Sequence, residues 1–288
     1  MKYRADIAGL RAVAVLPILL FHAGVNSLPG GFVGVDIFFV ISGFLITGII
    51  VRELDQGRFT ITEFYRRRVA RIVPALVAML LVTLLAGYVV MLPSELAALG
   101  GSAAWASLFL SNVHFYMTAD YFGAAAETTP LLHTWSLAVE EQFYIFYPPL
   151  MMLLWRWRRV APRTAVAVVC LLSFAVALLL GQRGGSSLAA AFYLIPSRAW
   201  ELGLGALVAL GAFPVIASPR LRQGLAVLGL LAILVAIRVI HPGALFPAPL
   251  ALLPCLGAAL LIAYGQSGVT AGLLSSWPCL LYTSDAAD

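Results

Sequence analysis

The stretch GLRAVAVLPILLFHAG, residues 9–24, is an apolar run that carries two ionisable side chains, Arg11 and His22. Eleven residues at about 100° each make three helical turns and roughly 20° more, so both side chains leave the helix on nearly the same face. Their separation along the helix axis is about 16 Å, around half of the hydrocarbon thickness of a bilayer. The stretch therefore predicts a membrane helix with a cation near one membrane surface and an imidazole well inside.

This pair of side chains has two interpretations. An ionisable residue on a lipid-embedded helix is costly, so it usually faces a cavity or a partner and indicates a functional site. Alternatively, Arg11 only anchors the helix end and His22 only forms a hydrogen bond with a neighbouring helix. Both interpretations are open for this helix taken alone.

The composition is that of a polytopic membrane protein. Of the 288 residues, 62% are hydrophobic and 11% are charged, whereas a soluble domain carries about 25% charged residues. The net charge of +5 comes from basic residues between apolar segments, which indicates cytoplasmic loops rather than nucleic-acid binding. The three cysteines and four histidines show no disulfide framework and no spacing typical of a metal site.

Long apolar windows predict an all-α bundle of transmembrane helices that forms a single domain over residues 1–288. Eight complete spans are predicted near residues 12–28, 32–51, 72–92, 132–154, 164–181, 188–211, 222–240 and 248–265. A ninth span begins near residue 273 and is cut off. The segment 97–116 is apolar but short and interrupted by polar residues, and we predict that it is re-entrant or lies on the membrane surface.

Arginine-rich connections give the predicted orientation. They follow the second, fourth and sixth predicted spans, within residues 52–71, 156–163 and 220–222. All three fall on one side of the membrane, together with Lys2, Arg4 and Arg11. The positive-inside rule makes this side cytoplasmic. The N-terminus is then cytoplasmic, and His22 lies in the outward half of the membrane.

The predicted fourth span, LLHTWSLAVEEQFYIFYPPL at residues 131–150, places three ionisable groups in the membrane. His133 is at its outer end, and Glu140 and Glu141 lie about 10–14 Å deeper. Because adjacent residues point about 100° apart, the two carboxylates cannot both face one partner. At least one of them should point into the bundle and be paired, hydrogen-bonded or protonated.

Other polar groups lie in the second and sixth predicted spans. In PSRAWELGLGAL, residues 196–207, Arg198 and Glu201 have the i,i+3 spacing of an ion pair. In GGFVGVDIFFVISGFLITGII, residues 30–50, Asp36 lies near the outer end and Ser42 near the middle. Small residues in the same run, such as Gly43, suit close helix packing. Each charged group in these spans is either structural or part of a polar site.

The loop FYRRRVARIVPA, residues 64–75, carries four arginines beside a membrane surface: Arg66, Arg67, Arg68 and Arg71. Positive-inside charge and contact with anionic membrane lipids would explain them. A clamp for phosphates that arrive from the cytoplasm is the functional alternative, because guanidinium forks match phosphate oxygens.

Five stretches together resemble the integral-membrane acyltransferase-3 family, the O-acyltransferases that modify cell-surface glycans. They are YRADIAGLRAVAVL…FHAG, GGFVGVDIFFVISGFLIT, FYRRRVARIVP, HTWSLAVEEQFY and SRAWELGLGAL, in the family's order, over residues 3 to about 210. The resemblance implies a multi-pass protein of the bacterial inner membrane. It also implies transfer of an acyl group, commonly acetyl from acetyl-CoA, across the membrane to a hydroxyl of a polysaccharide or glycolipid.

The residue chemistry fits such a transfer. His22 is the predicted general base for the acceptor hydroxyl, and Glu140 or Glu141 the carboxylate that orients its imidazole. Arg11 and the four arginines of residues 64–75 would bind the phosphates of CoA, a co-substrate rather than a bound cofactor. Candidate oxyanion donors are Trp135, Ser136 and Arg198. The remaining candidate polar residues are Asp36, Ser42, His133, Tyr144 and Glu201.

A transporter or exporter is the alternative function, because buried His, Glu and Arg side chains also move protons and substrates. Inverted repeats with matching broken helices would favour it, and the sequence shows none. The resemblance departs at the C-terminus, where SSWPCLLYTSDAAD, residues 275–288, does not complete a ninth span. We expect a truncated or non-native end there.

Overall fold

The computed structural model describes residues 4–25, 27–118, 129–157, 160–241, 243 and 246–276, and over these ranges it contains only helices. The predicted all-α fold class is therefore confirmed. Part of the arginine-rich connection at 156–163 and most of the predicted ninth span lie outside the described residues. The α-helices are α1 (Ala5–His22), α2 (Gly34–Asp55), α3 (Ile61–Val90), α4 (Pro93–Ser107), α5 (Ser111–Thr118), α6 (Thr134–Trp157), α7 (Pro162–Arg183), α8 (Gly185–Tyr193), α9 (Ile195–Ala209), α10 (Pro219–Val239), α11 (Leu252–Tyr264) and α12 (Gly268–Leu274).

Five segments in the described part of the chain are long and apolar enough to cross a membrane: α1, α2 with the preceding turn, α3, α7 and α10. A sixth results if α11 and α12, which meet at 107°, form one broken span. The protein is thus a multi-pass membrane protein, and the predicted count of eight complete spans stays a prediction. Helix α6 is 24 residues long, but its consecutive polar residues Glu140, Glu141 and Gln142 lower its mean hydropathy.

The bounds of the first predicted span, 12–28, are wrong. Helix α1 runs from Ala5 to His22, so His22 is its last residue and Arg11 lies about 9 Å from its start. The chain leaves the helix because Gly24 adopts the left-handed conformation, with φ +77°, which is typical just beyond a helix C-terminus.

The segment 97–116 is not one helix. It divides into α4 and α5 at a turn where Phe109 has a φ of +54°. Helix α4 begins at Pro93, and the side chain of Glu95 accepts a hydrogen bond from the N–H of Leu92 at 3.0 Å. The predicted span 188–211 also divides, into α8 and α9, because Pro196 lacks the N–H that a continuous helix would need.

Helix α9 lies at the centre of the bundle, where it packs against α2, α6, α7, α8 and α11. Its contact with α2 is a close approach of two backbones. A Cβ atom at Gly43 would collide with the carbonyl of Leu202, and one at Gly205 would collide with the carbonyl of Val40. The packing role predicted for Gly43 is therefore confirmed, and Gly205 has the same role, since only a residue without a side chain fits.

Helix α3, in contrast to the central helix α9, buries few of its side chains. It packs along α4, while large apolar side chains such as Leu85 and Val89 are exposed. In a protein of this composition such a face contacts lipid rather than water. Helix α3 is thus a peripheral membrane helix that carries the arginines of residues 64–75 at its N-terminal end.

We predict that Gly205→Ala lowers the free energy of unfolding by about 1–3 kcal/mol, because the added methyl group forces α2 and α9 apart. Gly100→Ala in α4 is the control. A Cβ atom there meets no other atom within 4 Å, so helix propensity should leave it neutral or stabilise it by up to about 1 kcal/mol. Thermal unfolding of the two variants in detergent measures the difference, and equal melting temperatures would contradict the close approach.

Candidate active site

Helices α1 and α6 run antiparallel and bring their ionisable residues together at two levels. At one level, Glu140 interacts electrostatically with Arg11 of α1 and with Arg71 of α3. Arg68 of α3 interacts in the same way with Glu141. We call these five residues the Arg–Glu cluster. Three helices that are distant in the sequence therefore place three cations around two carboxyl groups.

The members of the Arg–Glu cluster are near one another without direct ion pairs. In the described part of the chain every ion pair involves other residues: Arg4–Asp6, Arg66–Glu63, Arg67–Glu53, Arg198–Asp36 and Arg198–Glu201. Nε of Arg68 and Oε1 of Glu141 are buried without a hydrogen-bond partner in these ranges. The cluster therefore presents polar atoms of both signs that a ligand can satisfy.

Hydroxyl groups support one carboxyl group of the cluster. The Tyr144 hydroxyl donates a hydrogen bond to Oε2 of Glu140 at 3.3 Å. Ser42 of α2 forms a second, short hydrogen bond with the same hydroxyl. One turn further along, Thr47 and Tyr147 form a hydrogen bond of 2.8 Å. These hydroxyl pairs hold α6 in register against α2. Tyr144 of the same helix thus positions Glu140, and Ser42 of α2 positions Tyr144.

The predicted phosphate clamp divides into two parts. Arg66 forms two 2.8 Å hydrogen bonds with Glu63, and Arg67 contacts Glu53 of α2 at 2.9 Å. Arg68 and Arg71, which are i,i+3 neighbours, belong instead to the Arg–Glu cluster. The structure therefore brings two of the four predicted arginines into the site together with Arg11.

The histidines occupy the other level, with His22 at the end of α1 and His133 directly before α6. His133 lies within electrostatic range of His22, and Ser136 donates a hydrogen bond to the carbonyl of His133 at 3.1 Å. His133 and Glu140 are seven residues apart, about 10 Å along α6. The structure thus places His133 at the level of His22, and Glu140 at the level of Arg11. The prediction that Glu140 or Glu141 orients the His22 imidazole stays a prediction, and no described contact supports it.

A third polar group is buried between α2 and α9. Nη1 of Arg198 contacts Oδ1 of Asp36 at 2.7 Å and Oε1 of Glu201 at 2.6 Å. Nε of Arg198 donates to the carbonyl of Phe192 at 2.9 Å. All three charged side chains are at most 1% exposed. We call Asp36, Arg198 and Glu201 the charged triad.

Aromatic rings enclose the charged triad. The guanidinium carbon of Arg198 lies 5.0 Å from the ring centre of Phe192, 5.3 Å from that of Trp135 and 5.4 Å from that of Phe246. Such contacts stabilise a desolvated cation. Arg198 and Trp135 are therefore buried in the core, and their predicted oxyanion role stays a prediction.

Two contacts of the site were not predicted from the sequence. The first is the pair Asp36–Arg198, which joins residues 162 positions apart. The second is an amide network in which Gln142 donates to Oδ1 of Asn112 at 2.8 Å and to the carbonyl of Phe109 at 3.1 Å. Asn112 also donates to the carbonyl of Tyr193 at 3.2 Å. The sequence did contain an indication of the first contact. Asp36 is a charged residue inside an apolar run, and such a residue requires a partner.

A family model described as an acyltransferase domain matches residues 4–281 of this chain. The chain belongs to this family. Its sequence is 33% identical over 212 residues to the peptidoglycan O-acetyltransferase OatA of Listeria monocytogenes, a match that covers 72% of this chain and 34% of OatA. It is 34% identical over 213 residues to the putative peptidoglycan O-acetyltransferase YrhL of Bacillus subtilis, with 73% of this chain and 33% of YrhL covered.

A putative O-acetyltransferase of Staphylococcus aureus is 40% identical over 157 residues, which are 54% of this chain and 26% of that protein. The matches thus span about a quarter to a third of the length of these curated relatives. No solved structure is significantly similar to this chain. The predicted membership of an acyltransferase family is confirmed, and so is the multi-pass, all-helical architecture.

We predict that Gln142→Leu lowers the free energy of unfolding by about 1–3 kcal/mol, because Asn112 and the Phe109 carbonyl lose a buried partner. The loss should be local to the turn between α4 and α5. Hydrogen–deuterium exchange of residues 107–118 should increase, while that of α2 stays unchanged. Ser136→Ala is the control, since the Ser136 hydroxyl bonds only to the backbone carbonyl of His133 in the described structure. Unchanged exchange in Gln142→Leu would show that the network does not hold this turn.

Proposed function

We propose that this acyltransferase-domain protein transfers an acyl group, acetyl in the first instance, from cytoplasmic acyl-CoA to a hydroxyl of an extracytoplasmic cell-wall glycan. The observation that carries the proposal is the Arg–Glu cluster, with three arginines in no ion pair among the described residues. Three guanidinium groups near a membrane surface suit the phosphates of CoA. The family membership supports acyl transfer, and the names of the relatives OatA and YrhL support a peptidoglycan acceptor.

The spacing along α1 supports a division of tasks between the two levels of the site. Arg11 and His22 are about 16 Å apart along one helix. The pantetheine arm of acyl-CoA separates its phosphates from its thioester by a comparable length when extended. Phosphates held by Arg11, Arg68 and Arg71 would thus leave the thioester near the level of His22 and His133. This arrangement makes the helix pair α1–α6 the wall along which the donor lies.

The proposed reaction is a direct transfer with His22 as general base. The acceptor hydroxyl attacks the thioester carbonyl, and its proton passes to the imidazole. The carbon–sulfur bond then breaks, CoA leaves as the thiolate and takes up the proton, and the acyl ester remains on the glycan. His133 lies within electrostatic range of His22 and would affect how readily that imidazole accepts a proton. The alternative of a transporter, which the sequence left open, has no comparable support from the family.

For the base, we predict that His22→Ala reduces acetyl transfer by roughly 10²–10⁴-fold, the usual contribution of a general base. The chain is expressed in a bacterial strain that lacks its own surface O-acetylation, and base-labile acetate is quantified on purified cell-wall glycan. His241→Ala is the control, because the His241 imidazole is exposed and near the backbone carbonyl of Val239. Acetate at the wild-type level in His22→Ala would exclude His22 as the base, and no acetate from the wild type would contradict the proposed activity.

For the donor site, we predict that the double variant Arg68→Gln/Arg71→Gln raises the Kd for acetyl-CoA by about a hundredfold or more, since each lost charge-assisted hydrogen bond to a phosphate is worth about 1.5–3 kcal/mol. Arg66→Gln/Arg67→Gln is the matched control with the same change of charge, because those side chains pair with Glu63 and Glu53. Affinity is measured on the purified protein in detergent. An equal loss in both double variants would indicate unspecific attraction and contradict the site.

A further inference from the structure

We infer that the charged triad is a proton-binding site, in which Asp36 and Glu201 hold one proton between them. The inference is independent of the proposed function. It rests on three features of the triad: its charge, its burial and the hydrogen-bond partners of its oxygens.

The first feature is an excess of negative charge. Both carboxyl groups bond to the same nitrogen, Nη1 of Arg198, at 2.7 and 2.6 Å. In the described part of the chain Arg198 is the only cation in an ion pair with either of them. Two carboxylates and one guanidinium would leave one negative charge without compensation.

The second feature is burial. Asp36 and Glu201 are 0% exposed, and the guanidinium that both contact is itself packed against three aromatic rings. The buried thiol of Cys255 also contacts Asp36, with its Sγ 3.9 Å from the Asp36 carbonyl oxygen. An unpaired charge is very costly in such surroundings, and a buried group neutralises instead of staying charged. The uncompensated charge therefore has to be removed by a bound cation.

The third feature identifies the cation. Oδ2 of Asp36 and Oε2 of Glu201 are buried, and neither has a hydrogen-bond donor among the described residues. The two carboxyl groups are neighbours, because Oδ1 of Asp36 and Oε1 of Glu201 both accept a hydrogen bond from Nη1 of Arg198. A single proton on one carboxyl group would donate to the other and satisfy both oxygens. The triad then becomes an overall neutral unit that joins α2 to α9.

The same geometry predicts the effect of replacing each carboxylate by an amide. Asp36→Asn or Glu201→Gln leaves one carboxylate for Arg198, so either single variant is neutral without a proton. The double variant leaves Arg198 as a buried cation with no counter-charge. Removing one partner of a buried pair is strongly destabilising for this reason.

The experiment compares the yield of monodisperse protein in detergent for the wild type, both single variants and the double variant. Each single variant should stay within about twofold of the wild type, and the double variant should fall by about tenfold or more. Glu53→Gln, which removes a carboxylate from the pair with Arg67 at the end of α2, is the control. Single variants as damaging as the double variant would overturn the proton-binding site, because each carboxylate would then be needed as a charge.

Infrared spectroscopy tests the proton directly. The carbonyl band of a protonated carboxylic acid, which shifts in ²H₂O, should be present in the wild type and reduced in both single variants by the same amount. An unchanged spectrum would overturn the inference. A sodium ion is the competing occupant of two carboxylate oxygens. If replacing sodium with choline at constant ionic strength lowered the melting temperature of the wild type but not of Glu201→Gln, the site would bind sodium rather than a proton.

Discussion

A buried guanidinium is the constraint on which this bundle depends. Arg198 lies in the apolar core with 1% of its side chain exposed, and such a charge is tolerated only with partners in a fixed geometry. Its partners come from α2, from its own helix and from the backbone at Phe192. These contacts determine how the two central helices face each other, and the glycine contact at Gly43 and Gly205 determines how closely they approach.

The polar groups of the membrane-embedded part have different tasks, which their surroundings distinguish. The charged triad is enclosed by aromatic rings and bonded within the protein, which suits a structural role. The Arg–Glu cluster lies between α1, α3 and α6 with polar atoms that have no partner in the described structure, which suits a ligand. Helix α3 packs on α4, and the pair Arg67–Glu53 attaches its N-terminal end, which carries Arg68 and Arg71, to α2.

Much of the fold was predictable because a membrane imposes simple rules on a sequence. Apolar windows gave the helical class and the approximate position of most helices. The rules failed where a local feature interrupts a helix, as at Gly24 after α1 and at Pro196 between α8 and α9. Hydropathy summed over a window is insensitive to one such residue, so the bounds predicted for the segments 12–28 and 188–211 were less accurate.

The sequence by itself determined which residues are candidates for the chemistry, because ionisable side chains are so costly in apolar helices that few are present without a task. It also determined contacts within one helix, such as Arg198 with Glu201. Only the tertiary structure decided the partners across helices: Asp36 with Arg198, His133 at the level of His22, and Glu140 at the level of Arg11. The physical reason is that helical periodicity defines the face of a side chain, whereas the depth and rotation at which two helices meet depend on packing along their whole length.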